Sequence, residues 1–117
     1  MIQHLNHGEI WLADLNPANG TEPGKKRPVL IIQTQALLDA GHPSTLIIPL
    51  TTNLIDNAEP LRVRVIAGSK LKNNSDLLID QIRAIDNKRL IEGPLHKCEE
   101  ELLKRVRECI QEVIDMF

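Results

Sequence analysis

Aromatic side chains are nearly absent from this sequence. Trp11 and Phe117 are the only two among 117 residues, and there is no tyrosine. Proteins that hold single-stranded nucleic acid on a stacking platform need more rings than that, so the composition argues against such a platform. An excess of positive charge is missing too: 14 lysines and arginines face 16 acids, for a net charge of −2, which argues against a generic DNA coat. Cysteine is scarce. If Cys98 and Cys109 share a helix they stand roughly 16 Å apart along it, beyond disulfide reach, and free thiols in a reducing cytosol are expected. Long apolar runs are also lacking. "VLII" and "LIIPL" are far too short to span a bilayer, and "MIQHLNHGEIW" carries no secretory leader. The expectation is a cytoplasmic protein with no membrane segment.

What is present is an ordinary globular composition, 42% apolar and 26% charged, long enough for one domain over residues 1–117. The near-neutral total conceals an uneven distribution. Residues 61–91 hold seven bases (Arg62, Arg64, Lys70, Lys72, Arg83, Lys88, Arg89) against three acids, whereas residues 92–117 hold seven acids against four bases. The basic middle is either a set of solvated strand edges or a local anion-binding surface.

Strand patterns dominate the first three-quarters of the chain. "GEIWLADL" (8–15), "PVLIIQT" (28–34), "STLIIPLT" (44–51), "LRVRVI" (61–66) and "SDLLIDQIRAI" (75–85) read as strands by alternation or β-branching. Leu90 and Ile91 form a further strand or extended loop. In 61–66 the alternation sets Leu61, Val63 and Val65 on one face and Arg62 and Arg64 on the other. Pro49 suggests a strand edge or end, where its missing N–H does no harm. Between the first two strands, "NPANGTEPGKKR" is long for a hairpin connection and rich in turn signals. "QALLDAG" suits a short helix ending at Gly41. Near the end, Leu102, Leu103, Val106, Ile110, Val113, Ile114 and Phe117 recur every three or four residues, the stripe of an amphipathic helix. Glu99, Glu100 and Glu101 lie at its start, where negative charge suits the helix dipole. Strands followed by a closing helix predict an α+β, mostly β domain, or a small barrel with a helix packed against it.

The chemistry-bearing residues are few. His4 and His7 have no nearby cysteine pair to complete a zinc site, and neither a P-loop nor a dinucleotide fingerprint is present. Lys25, Lys26 and Arg27 form a cationic run directly before an apolar strand. A guanidinium anchored at a strand start suits a phosphate, because its planar fork binds two oxygens at once. Glu22 is close enough in sequence to pair with it or to act as a base. Thr51 and Thr52 stand at the exit of another strand, where hydroxyls and backbone N–H groups hold phosphoryl oxygens or simply cap the strand. Gln81 and Arg83, two apart on an expected strand, share a face that either reads nucleotides or faces water.

Together, "GEIWLADLNPANGTEPGKKRPVLIIQ" (8–33), "IIPLTTN" (47–53) and "LLIDQIRAIDNKRL" (77–90) resemble the MazF/PemK family of bacterial toxins in order and spacing, over nearly the whole chain. The first block is the most specific. The resemblance implies a small SH3-like barrel of the CcdB/PemK/MazF kind with a C-terminal amphipathic helix, assembled as a homodimer. It implies a sequence-specific endoribonuclease, an mRNA interferase, that cuts single-stranded RNA without metal or cofactor and leaves a 2′,3′-cyclic phosphate and a 5′-hydroxyl. By resemblance the catalytic residues are Arg27 and Thr51, with Glu22 as a possible base or loop support. Lys25, Lys26, Thr52, Gln81 and Arg83 are the expected RNA-binding residues. Pro23 departs from the glutamine common there, and the doubled threonine is assigned by its distance from Pro49. A cognate antitoxin with an extended acidic segment is the expected partner, and the basic stretch 61–91 suits it. The alternatives are a CcdB-like toxin that binds DNA gyrase, with Phe117 as a terminal anchor, and an inactive RNA-binding homologue.

Overall fold

The apolar runs become strands where alternation or β-branching favours a pleated backbone, and a long helix only where the spacing is three and four. In the computed structural model, which describes residues 4–17, 20–21 and 25–116, the strands are β1 (Glu9–Asp14), β2 (Lys26–Ile31), β3 (Ser44–Thr51), β4 (Arg62–Val65), β5 (Ser75–Leu78), β6 (Arg83–Asp86) and β7 (Leu90–Lys97). The helices are α1 (Gln35–Asp39) and α2 (Glu100–Val113). As the sequence suggests, α1 stops at Gly41, whose φ of 74° is costly for a residue with a Cβ.

The strands form one antiparallel sheet in the order β4-β5-β3-β2-β1-β7, with β6 paired to β3 off that path. Among the described residues no ladder joins β4 to β7, so the sheet is open rather than a closed barrel. The β4–β5 connection reaches toward β7 instead: the Lys70 N–H donates to the Leu95 carbonyl at 2.8 Å, and Gly68 lies against the His96 ring.

Pro49 is not on a sheet edge. It is buried inside β3, opposite Val29 of β2. Along its other side β3 pairs with β6 up to Ile47↔Arg83 and with β5 from Leu50↔Leu77 onward. Ile48 and Pro49 fall in the gap between these partners, where a proline costs no ladder hydrogen bond. The same gap breaks the single strand expected over residues 75–85. Five residues of chain, Leu78 to Ile82, run beside only Ile48 and Pro49 of β3, and the excess is taken up as a 3₁₀ turn at Ile79–Gln81. Other differences are smaller. β2 begins at Lys26 rather than Pro28. Leu61 lies outside β4 and is exposed, so only Val63 and Val65 form its inward face.

Two apolar clusters fill the fold. One gathers Ile10, Leu30, Ile48, Leu50, Val63, Val65, Leu77 and Ile79 with the α2 stripe of Leu103, Val106 and Cys109. The other holds Trp11, Ala13, Leu15, Val29, Ile31, Ile47, Ile85 and Leu90. Leu102, Ile110 and Val113 of the predicted stripe pack at its margin, whereas Ile114 lies past the helix end and is exposed; Phe117 lies outside the described residues. Cys98 and Cys109 are buried free thiols, and burial pushes Cys98 up to about 11. No described helix is long and apolar enough to cross a membrane.

β7 comes close to β1 at Gly93, where a Cβ would overlap Cδ2, Cγ and Cε2 of Trp11. The indole cannot yield freely, because its Nε1 donates to Glu9 Oε1 at 3.1 Å and the ring is buried. Gly93→Ala is therefore expected to cost about 3 kcal/mol by overpacking. Urea unfolding checks this: an unchanged midpoint would mean that the ring shifts without cost.

Candidate active site

The first loop and the exit of β3 meet at one rim of the sheet. The β2–β3 register runs through Leu30↔Ile48 and Val29↔Pro49. The ladder ends at Val29↔Pro49; carried two residues further, its register points Arg27 toward Thr51. A direct bond confirms the approach, since Arg27 Nη1 donates to the carbonyl of Leu50, the residue before Thr51, at 3.2 Å. Arg27 is half-buried, and loss of solvent lowers its guanidinium from the ordinary value. Desolvation also strengthens its attraction for an anion.

Thr51 is the last residue of β3 and is half-buried; Thr52 is exposed in the turn that follows. The Thr51 Oγ1 accepts a hydrogen bond from the Asn53 N–H at 3.2 Å. With a lone pair engaged there, the hydroxyl retains its proton for an outward acceptor.

The foot of the first loop is fastened. Arg89 Nη1 donates to the carbonyls of Asp14 and Asn16 at 3.0 and 2.9 Å, and the Lys25 N–H donates to Asn16 Oδ1 at 2.6 Å. Lys25 has φ of 66°, and Lys26 opens β2 opposite Asp14. Their backbones are thus held in place rather than loose, while both side chains are exposed. Glu22 and Pro23 lie outside the described residues.

Gln81 and Arg83 do not share a strand face, contrary to the sequence expectation. Gln81 closes the 3₁₀ turn and Arg83 opens β6 opposite Ile47. Arg83 therefore sits about 13 Å along β3 from Thr51. Gln81 instead lines a groove of about 300 Å³ with Thr21, Leu61, Arg62, Leu78 and Asp80. That groove meets a larger one of about 640 Å³ at Arg62, under the segment that links β3 to β4.

The ionic centre beside the rim is less visible in the sequence. Asp76 is almost fully buried and pairs with Thr51 across the β3–β5 ladder. Arg64 Nε donates to its Oδ1 at 2.5 Å; Arg62 Nη1 and the Ile55 N–H donate to its Oδ2 at 3.3 and 2.9 Å. Arg64 Nη2 also donates to Asp56 Oδ1 at 2.8 Å. Burial pushes the Asp76 carboxyl up, but the hydrogen bonds from Arg64, Ile55 and Arg62 outweigh it and hold it below its ordinary value. Arg62 and Arg64 are therefore not an open basic face, because both turn onto a buried carboxylate. The signal was the hairpin register Arg64↔Asp76, which sets opposite charges across two neighbouring strands.

Residues 6–114 match the family model described as PemK-like, MazF-like toxin of type II toxin-antitoxin system. The curated Endoribonuclease MazF of Staphylococcus epidermidis is 39% identical over 92 residues, 75% of this chain and 73% of that relative. Among solved structures, MazF of Deinococcus radiodurans matches with a TM-score of 0.81 at 20% identity, covering 98% of this chain and 100% of that one. A MazE–MazF complex from the same organism gives 0.77 at 18% identity, covering 98% and 100%. Toxin MazF-mt6 of Mycobacterium tuberculosis gives 0.75 at 22% identity, covering 93% and 98%. At these identities the solved structures establish the fold.

The depressed Asp76 carboxyl predicts an acid-sensitive contribution to stability. A carboxylate held below its unfolded pKa stabilises the fold above that value, and the contribution disappears as pH falls through the folded one. The gap in unfolding free energy between wild type and Asp76→Asn should therefore narrow from about pH 7 to about pH 3. Urea titrations at the two pH values measure it; a constant gap would show that the charge of Asp76 does not stabilise the fold.

Proposed function

The chain belongs to the PemK-like, MazF-like toxin family, and from that premise we propose that it is the endoribonuclease toxin of a type II toxin–antitoxin system and cuts single-stranded RNA at the rim formed by Arg27 and Thr51. The observation that carries the site assignment is the Arg27 bond to the Leu50 carbonyl, which brings a partly desolvated guanidinium beside the threonine that ends β3.

RNA carries its own nucleophile. The 2′-hydroxyl attacks the adjacent phosphorus, the new 2′-O–P bond forms as the P–O5′ bond breaks, and the products are a 2′,3′-cyclic phosphate and a 5′-hydroxyl. The reaction needs alignment of attacking and leaving oxygens, stabilisation of the charge on the phosphorane, and two proton transfers. Arg27 supplies the positive charge that a metal would otherwise provide. Thr51 donates its hydroxyl proton to a non-bridging oxygen, the polarity left to it by the Asn53 N–H. A guanidinium stays largely protonated at neutral pH even when burial lowers its pKa, so little of its base form is on offer. The proton of the 2′-hydroxyl passes to Glu22, a water or a transiently neutral Arg27, and the leaving 5′-oxygen gains a proton in turn. Lys25 and Lys26 at the loop foot, Thr52 beyond β3, Gln81 on the 3₁₀ turn and Arg83 on β6 bind the RNA on either side.

The same reading includes a homodimer, in which a second copy extends the RNA groove, and an antitoxin whose acidic segment competes for it. The fold match to a MazE–MazF complex supports the antitoxin. The toxin works in the cytoplasm, where mRNA is exposed. A gyrase-binding toxin is the other reading, and the family match across residues 6–114 supports the nuclease over it.

Arg27→Ala is expected to lower cleavage of a long RNA in EDTA at least about 100-fold, with circular dichroism unchanged. Full cleavage by that variant would remove Arg27 from the site, and intact RNA with the wild-type protein would refute the nuclease.

A further inference from the structure

The turn that follows Thr51 is held from below by a buried charge. The Asn53 N–H bonds the Thr51 hydroxyl at 3.2 Å, and the Asn53 carbonyl accepts from Arg62 Nη1 at 2.8 Å. The same Nη1 reaches Asp76 Oδ2 at 3.3 Å, and that oxygen also accepts from the Ile55 N–H at 2.9 Å. Asp76 thus touches the turn twice, once directly at Ile55 and once through Arg62 at Asn53. Its own backbone is paired with Thr51 in the sheet. Arg64 completes the arrangement by joining Asp76 to Asp56 further along the segment. Beyond it, Glu59 is bonded to Arg105 of α2. Residues 53–59 are therefore fastened at four points, at Asn53, Ile55, Asp56 and Glu59, and three of these depend on Asp76 and its two arginines.

This segment has no regular structure and several of its side chains are exposed. Without the anchor its backbone would be free to turn the Asn53 N–H away from Thr51, and the hydroxyl would lose its fixed orientation. A buried carboxylate is costly unless fully hydrogen-bonded. Here Asp76 receives three such bonds, two of them from arginines that also grip the turn.

We propose that Asp76 is a positioning residue for the cleavage reaction: acting through Arg62 and Asn53, it fixes the turn after β3 so that the Thr51 hydroxyl is presented to the phosphate. The inference rests on the nuclease reading given above. It assigns Arg62 a structural duty, in place of the RNA-phosphate contact that its position in the basic stretch would suggest.

Steady-state cleavage of a defined RNA by the full chain in EDTA, at low and high salt, tests it with wild type, Thr51→Val, Asp76→Asn and Arg62→Met. Arg62→Met keeps the aliphatic stem but cannot bond Asn53. Both Asp76→Asn and Arg62→Met should lower kcat by about 10-fold or more, with KM and the salt dependence of kcat/KM unchanged, as expected for a misplaced reacting group. If Arg62→Met instead raises KM and flattens the salt dependence while kcat holds, Arg62 binds RNA phosphate directly and the proposal is overturned. Wild-type kcat in a folded Arg62→Met overturns it as well, and this variant decides alone if Asp76→Asn does not fold. Loss of activity in Thr51→Val alone leaves the nuclease standing and removes the positioning role. If wild type itself leaves the RNA intact, the nuclease reading fails and the positioning role falls with it.

Discussion

β3 carries two successive partners along one side, and the break between them sets where the candidate site lies. β6 pairs with the first half of the strand and β5 with its end, leaving Ile48 and Pro49 unpaired on that side. On the opposite side β2 pairs continuously across the break, from Ile47 to Pro49. The end of β3 is therefore paired with β5 and bonded by the Arg27 side chain at Leu50, while the chain between β5 and β6 coils into a 3₁₀ turn. That arrangement brings Arg27 of β2 onto the Leu50 carbonyl beside Thr51 and puts Gln81 on the turn, next to Arg62. A residue with an N–H at position 49 would have to find a partner for it in a buried gap. Proline needs none.

The electrostatics follow from the same geometry. A net positive stretch in the sequence would suggest a continuous cationic surface, but the hairpin of β4 and β5 turns Arg62 and Arg64 onto Asp76. Arg89 is likewise spent on the carbonyls that anchor the first loop. Charge exposed to a polyanion is thus carried by lysines such as Lys25 and Lys26, whose side chains reach solvent. Scarce aromatics fit this picture, since Trp11 is buried under Gly93 and takes no part in the rim.

Much of the fold is legible in the sequence because alternation and helical spacing are local signals. β3 and α1 lie where their patterns place them, and the buried side of α2 is the apolar stripe. The 75–85 segment is not legible, because its interruption is dictated by the partner strand and no residue in it resists extension. Pro49 gave the right clue, a missing donor, but the place where a donor is unnecessary proved to be an internal gap rather than an edge. The site is legible in part for the same reason. Arg27 and Thr51 each flank an apolar strand, so their positions follow from the strand ends. Gln81 was placed on the wrong kind of backbone, and Asp76 looked like one more acid until the hairpin register set it against Arg64.

In the proposed reaction RNA supplies its own nucleophile and the rim provides only charge and alignment. The most direct test is a defined RNA carrying a single 2′-deoxy nucleotide on the 5′ side of the cleaved bond, compared with the all-ribose strand, with the ends of the fragments identified by mass. The account predicts that the deoxy substitution blocks cleavage at that bond and that the ribose strand yields a 2′,3′-cyclic phosphate and a 5′-hydroxyl. Cleavage of the deoxy strand at the same bond, or a 5′-phosphate on the product, would contradict it.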